Sequence, residues 1–101
     1  MIDRVKKKLE VALEDWAMMA KTSGDEGADW AEQFEKNFYE FIDELKVWYQ
    51  HLQQPPTTIE EAEALPEIQE IAGRLPAPLE LNFITELELI IEGIDRVRYD
   101  D

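Results

Sequence analysis

His51 is the only histidine of the chain, and imidazole is the side chain best suited to acid–base or metal chemistry near neutral pH. Helical bundles that hold paired metal ions use Glu-x-x-His pairs, in which a glutamate precedes the histidine by three positions. Trp48 stands three positions before His51, so this pattern is absent. We therefore expect an exposed histidine at a helix end, without a catalytic role.

Paired carboxylates are the second group that could support chemistry, because they bind Mg²⁺ or Mn²⁺. Glu40 and Asp43 stand three residues apart in one predicted helix. A second cluster comprises Glu88, Glu92 and Asp95 in another. Acidic residues fill 24 of the 101 positions, so such spacings arise by chance. We predict no metal site and no cofactor, and a carboxylate–metal enzyme is kept as an alternative function.

Nucleophilic catalysis has little support in the sequence. The chain has no cysteine, and its only serine, Ser23, lies in a predicted loop without a histidine nearby. No glycine-rich phosphate loop follows a strand, because no segment is convincing as a strand. We predict that the protein is not an enzyme. The lack of cysteine fits a reducing compartment, and no apolar run is long enough to span a bilayer, so we expect a cytoplasmic protein.

The formal net charge of −14 limits the possible partners. Residues 1–21 carry five basic and four acidic side chains, so almost all of the negative charge lies in the rest of the chain. Such a chain repels nucleic acids and anionic membranes at long range. We predict that it binds neither directly and that a protein partner presents a basic surface. Mimicry of a polyanion, which would inhibit a basic protein, is a second alternative.

The elements that must position these residues are helices, because large apolar residues recur at steps of three and four. The strongest such face comprises Trp30, Phe34, Phe38, Phe41, Leu45, Trp48 and Leu52. It predicts an amphipathic helix over residues 28–53 with this aromatic face turned inward. Similar spacing predicts a first helix over residues 2–21 and a last helix from residue 79 or 82 to residue 99.

All five prolines fall between residues 55 and 78, which marks a connector. Within it, Thr58 and Glu61 form a capping box for a short helix over residues 59–65, and Pro66 suits the start of another over residues 67–72. We predict an extended segment over residues 75–78. The expected fold is a single all-α domain over residues 1–101. It is an antiparallel bundle of three long helices with the short helical, proline-bounded connector (residues 55–78) packed on it.

Several apolar residues lie off the predicted buried faces and are candidates for an interaction surface. They are Val11 and Met18 on the first helix, Tyr39 and Val47 on the second, and Leu89 on the last. Apolar side chains that converge within an acidic surface form a docking site for another protein. We predict a non-catalytic protein–protein interaction or regulatory module that acts as a homodimer.

Overall fold

Every regular element of the computed structural model, which describes residues 2–93, is an α-helix. The helices are α1 (Ile2–Lys21), α2 (Gly24–Gln50), α3 (Ile59–Glu63), α4 (Pro66–Arg74) and α5 (Ala77–Glu92). This confirms the all-α class for the described residues. The chain forms two compact units, one ending at His51 and the other beginning at Leu52. None of the five helices is both long and apolar enough to cross a membrane.

The first unit is an antiparallel hairpin of α1 and α2. Arg4, near the start of α1, contacts Glu44, near the end of α2, and Trp16 contacts Phe34 closer to the connecting loop. The predicted bounds of α1 are confirmed, whereas α2 begins four residues earlier and ends three residues earlier than predicted. Gly24 has a φ of +63°, which lets the chain reverse within a very short loop.

The core of the hairpin is concentrated away from this loop. Its buried apolar residues are Val5, Leu9 and Ala12 on α1, and Phe38, Phe41, Ile42, Leu45 and Trp48 on α2. The ring centroids of Phe38 and Phe41 lie 5.8 Å apart. Each such large side chain contributes about 1.5–3 kcal/mol when it leaves water. The prediction that the aromatic face of α2 is buried therefore holds from Phe38 to Trp48.

The second unit begins with a capped short helix. The Thr58 hydroxyl accepts a hydrogen bond from the Glu61 backbone N–H at 3.2 Å, as the capping-box prediction requires. The Glu61 carboxylate accepts from the backbone N–H and hydroxyl of Thr57, one residue earlier than in a standard box. Helix α3 ends at Glu63, two residues before the predicted boundary.

The boundaries of α4 and α5 correct three predictions. Helix α4 starts at Pro66 and includes Gly73, so it is longer than predicted. Helix α5 begins at Ala77, inside the segment expected to be extended, because a proline in the first turn, here Pro78, costs no helical hydrogen bond. It ends at Glu92, since Gly93 adopts a left-handed φ of +73°. The predicted helical residues 94–99 lie outside the described residues.

The second unit has an apolar core of its own. Its buried apolar residues are Pro56, Ala62, Ile68, Ile71, Leu75, Leu79, Phe83, Leu87 and Ile90. One acidic side chain in this unit, Glu86 of α5, is only 4% exposed.

Candidate functional site

A polar seam joins α1 to α2 within the hairpin. Its centre is Asp15, which is only 4% exposed. Gln33 donates a hydrogen bond from Nε2 to Asp15 Oδ1 at 3.2 Å, and Asn37 donates from Nδ2 to Asp15 Oδ2. Gln33 and Asn37 stand one helical turn apart, so both amides reach the same carboxylate. Because both carboxylate oxygens accept a hydrogen bond, Asp15 serves the structure and is not an open chemical site.

A second contact of the seam lies near the open end of the hairpin. Arg4 Nη2 stands 3.1 Å from Glu44 Oε1. The Arg4 side chain is 74% exposed, and an ion pair so open to water contributes little to stability. The seam was not predicted, although two carboxamides one turn apart in an otherwise acidic helix were a usable signal for it.

Two of the predicted interaction residues belong to one exposed stripe of α1. Residues at alternating steps of three and four share a face of a helix. The stripe, called here the α1 stripe, comprises Arg4, Lys7, Val11, Glu14 and Met18. Val11 is 38% exposed and Met18 is half-buried, whereas the three charged members are exposed. The structure therefore brings Val11 and Met18 to one surface, two helical turns apart.

The other three predicted interaction residues do not join this stripe. Val47 is 42% exposed and lies on α2, one turn beyond Glu44. Tyr39 is half-buried, with its ring edge-on to Phe38 at 5.9 Å between centroids. Leu89 is half-buried on α5, in the second unit. These side chains are thus separate surface features of their own elements.

The loop end of the hairpin carries an apolar surface that includes two residues of the predicted buried face of α2, Trp30 and Phe34. We call it the tip cluster: Trp16, Met19, Trp30 and Phe34, all half-buried. The Trp16 and Phe34 rings lie 5.2 Å apart between centroids, and Trp30 stands one turn before Phe34. No residue from 16 to 37 is buried.

Trp30 and Phe34 were predicted to be buried but are only half-buried. Phe34 has a large partner on α1, Trp16, which is itself half-buried, whereas Trp30 lies beyond the last aromatic residue of α1. The last buried residue of α1 is Asp15. In the register set by the Trp16–Phe34 contact, Trp30 lies level with Ala20, which is small and itself exposed. The small Ala20 near the end of α1 was the sequence signal for the partial exposure of Trp30.

The tip cluster lies among negative charges. The exposed acidic residues in the first half of α2 are Asp25, Glu26, Asp29, Glu32 and Glu35. Lys36 is the first basic residue of α2. Asp25 and Glu26 occupy the first turn, where acidic side chains interact favourably with the helix dipole. The apolar surface and its acidic surroundings together suit a partner that carries apolar and cationic side chains.

Two shallow hollows lie elsewhere on the surface. One, of about 150 Å³, is in the second unit and is lined by Thr57, Thr58, Ile59, Glu88, Ile91 and Glu92. The other lies on α2 and is lined by Asp29, Glu32, Gln33, Lys36 and Asn37. The hollow on α2 is the larger, about 470 Å³, but it is an open depression on a single helix, whereas ligand sites are usually enclosed clefts.

The residues considered for metal chemistry are not assembled into a site within the described chain. Among residues 2–93, no three histidine, aspartate or glutamate side chains converge as ligands. Glu88 and Glu92 are both exposed on α5, and Asp95 lies outside the described residues.

His51 caps the end of α2 in the way its sequence position suggests. It is exposed, which confirms the prediction of a helix-end histidine. Its Nδ1 lies 2.8 Å from the backbone oxygen of Val47, which accepts a hydrogen bond. In comparisons with known proteins, the chain matches no family model, no curated protein sequence and no solved structure.

Proposed function

We propose that this protein is an acidic helical interaction module, without catalytic activity or cofactor, that binds a protein partner through the tip cluster. The observation that supports the proposal is the half-buried Trp16–Phe34 pair, with Trp30 beside it, in a stretch of 22 residues without a buried side chain. Aromatic side chains contribute large contact areas to protein interfaces. Because none of the three rings is buried, each keeps some accessible surface that a partner can contact.

The chemistry of the partner follows from the charges around the cluster. A complementary segment has apolar side chains that contact Trp30 and Phe34, flanked by lysines or arginines. The cationic flanks speed the encounter and select the partner, while the apolar contacts provide most of the affinity. An amphipathic helix with basic residues beside its apolar face combines both features.

A designed peptide tests the proposal. We expect a synthetic helical peptide with leucines along one face and lysines along the other to bind the protein in isothermal titration calorimetry. Trp30→Ala should weaken binding at least tenfold, because a central aromatic contact typically contributes 2 kcal/mol or more. Leu81→Ala is the matched control, since Leu81 is an apolar side chain 74% exposed in the second unit.

The salt dependence of binding separates this proposal from polyanion mimicry. Binding that weakens in Trp30→Ala and persists in high salt supports an apolar interface. If the affinity is unchanged by Trp30→Ala and falls steeply as the salt concentration rises, the proposal is contradicted and polyanion mimicry is favoured. A peptide with glutamates in place of the lysines should not bind in either case.

A further inference from the structure

The distribution of charge among the helices restricts where two copies of this chain can meet. Each copy carries a net charge of −14. Helix α2 has eight acidic and two basic residues, and α5 has four acidic residues and no basic one. Helix α1 differs, with five basic and four acidic residues. Of α1, α2 and α5, the three longest described helices, α1 is the one on which two copies meet without strong repulsion.

The exposed α1 stripe has its charges arranged around one apolar residue. Val11 lies at its centre and is 38% exposed. Lys7 precedes Val11 by four residues and Glu14 follows it by three, and both side chains are exposed. The charge of the stripe therefore changes from positive to negative along the helix, on either side of the apolar Val11.

We propose that two copies form a symmetric dimer in which their α1 stripes lie antiparallel, with Val11 beside the two-fold axis. In an antiparallel pair centred on Val11, Lys7 of one copy lies within about 1.5 Å, measured along the helix axis, of Glu14 of the other. The symmetry creates this Lys7–Glu14 contact twice. The same alignment places Met18 of each copy beside the aliphatic stem of the other copy's Arg4.

This dimer does not use the tip cluster. The dimer proposal therefore goes beyond the proposed function, and each of the two can be refuted without the other. Two copies meeting through their tip clusters would bring together the acidic first halves of both α2 helices, which repel each other. At physiological salt, charges further apart than about 8 Å are largely screened. The charge pairs within the contact therefore determine whether the two copies attract or repel each other. A single helix pair is a small interface, and we expect a weak, reversible dimer.

Charge exchange between two variants tests the proposal. In sedimentation equilibrium, Lys7→Glu should raise the dissociation constant about tenfold, because each dimer replaces two attractive pairs with two repulsive ones. Glu14→Lys should have a similar effect. A mixture of the two variants should form a heterodimer with the affinity of the parent protein, because both of its contacts again pair opposite charges.

The controls are the same charge changes on the exposed surface of α2. Lys36→Glu and Glu35→Lys should leave the dissociation constant within about twofold of the parent value, alone or mixed. Val11→Asp, which places two carboxylates near the axis, should abolish the dimer, whereas Val47→Asp, at a residue of similar exposure, should not. Circular dichroism of Val11→Asp confirms that the helices remain folded.

Three results would overturn the dimer. They are a parent protein that stays monomeric at millimolar concentration, a Lys7→Glu effect equal to that of Lys36→Glu, or a mixture of Lys7→Glu and Glu14→Lys that remains monomeric. Binding of the leucine–lysine peptide to the tip cluster is expected to be the same in Lys7→Glu and in the parent protein. A monomer that still binds this peptide refutes the dimer and leaves the proposed function standing.

Discussion

The buried carboxylate of the polar seam provides the sharpest test of how the hairpin is stabilised. Replacing Asn37 by alanine removes one of the two hydrogen-bond donors to Asp15. Asp15 is only 4% exposed, so water replaces the lost donor poorly. Removing a hydrogen bond to a charged group costs about 1.5–3 kcal/mol, and alanine returns up to about 0.7 kcal/mol through its higher helix propensity. We expect a net loss of about 1–2 kcal/mol in the free energy of unfolding.

Urea denaturation followed by circular dichroism measures this loss. Domains of this size have total stabilities of about 5–15 kcal/mol, so the change is well resolved as a shift of the transition midpoint. Asn82→Ala is the matched control, because Asn82 is exposed on α5. That change should stabilise the protein by about 0.5 kcal/mol through helix propensity alone. The two asparagine substitutions are therefore expected to have opposite signs.

A double-mutant cycle with Asp15→Ala identifies the contact responsible. Once the carboxylate is gone, Asn37→Ala should cost much less than it does in the parent protein. We expect a coupling energy of about 1–2 kcal/mol between the two positions. If Asn37→Ala proves no more destabilising than Asn82→Ala, or if the coupling energy is near zero, the seam does not stabilise the hairpin and the reasoning is refuted.

Further substitutions test the backbone and the helix caps. Gly24→Ala should destabilise the protein by about 1–2 kcal/mol because Gly24 has a left-handed φ, whereas Gly73→Ala, in a helix and with no atom within 4 Å of the added methyl group, should stabilise it by about 0.5 kcal/mol. Thermal unfolding of both variants checks this, and equal effects would argue against the left-handed turn. Thr58→Ala should cost about 1 kcal/mol by leaving the Glu61 N–H without its cap, while Thr85→Ala, on an exposed face of α5, should cost less than about 0.5 kcal/mol. Equal losses would mean that the cap does not stabilise α3.

The helical class and the bounds of α1 were predictable because apolar spacing persists over many turns. The ends of the other helices were less predictable, since residues such as Pro78 and Gly73 can lie either inside a helix or beyond its end. A proline that follows a helix prevents it from continuing, whereas a proline in the first turn of a helix helps it to begin. The sequence alone does not distinguish these two roles at Pro78. Gly93 was predicted to lie within a continuous helix, yet a left-handed glycine is a common way for a helix to end.

The surface was harder to predict than the fold, because helical periodicity describes one helix at a time. The spacing placed Trp30 and Phe34 on the same face as Phe38, but burial depends on what the neighbouring helix offers at each level. The same limit explains why the buried Asp15 was missed. Its environment is created by Gln33 and Asn37, which lie 18 and 22 residues away along the chain.

The concentration of buried side chains between Phe38 and Trp48 has a consequence for how this protein can change over time. A substitution in that stretch disturbs the core of the hairpin, whereas one near the loop leaves that core intact. The hairpin thus places tolerance to mutation at the end where recognition is proposed to occur. A new binding specificity can then arise there by successive single substitutions, each starting from a molecule that still folds.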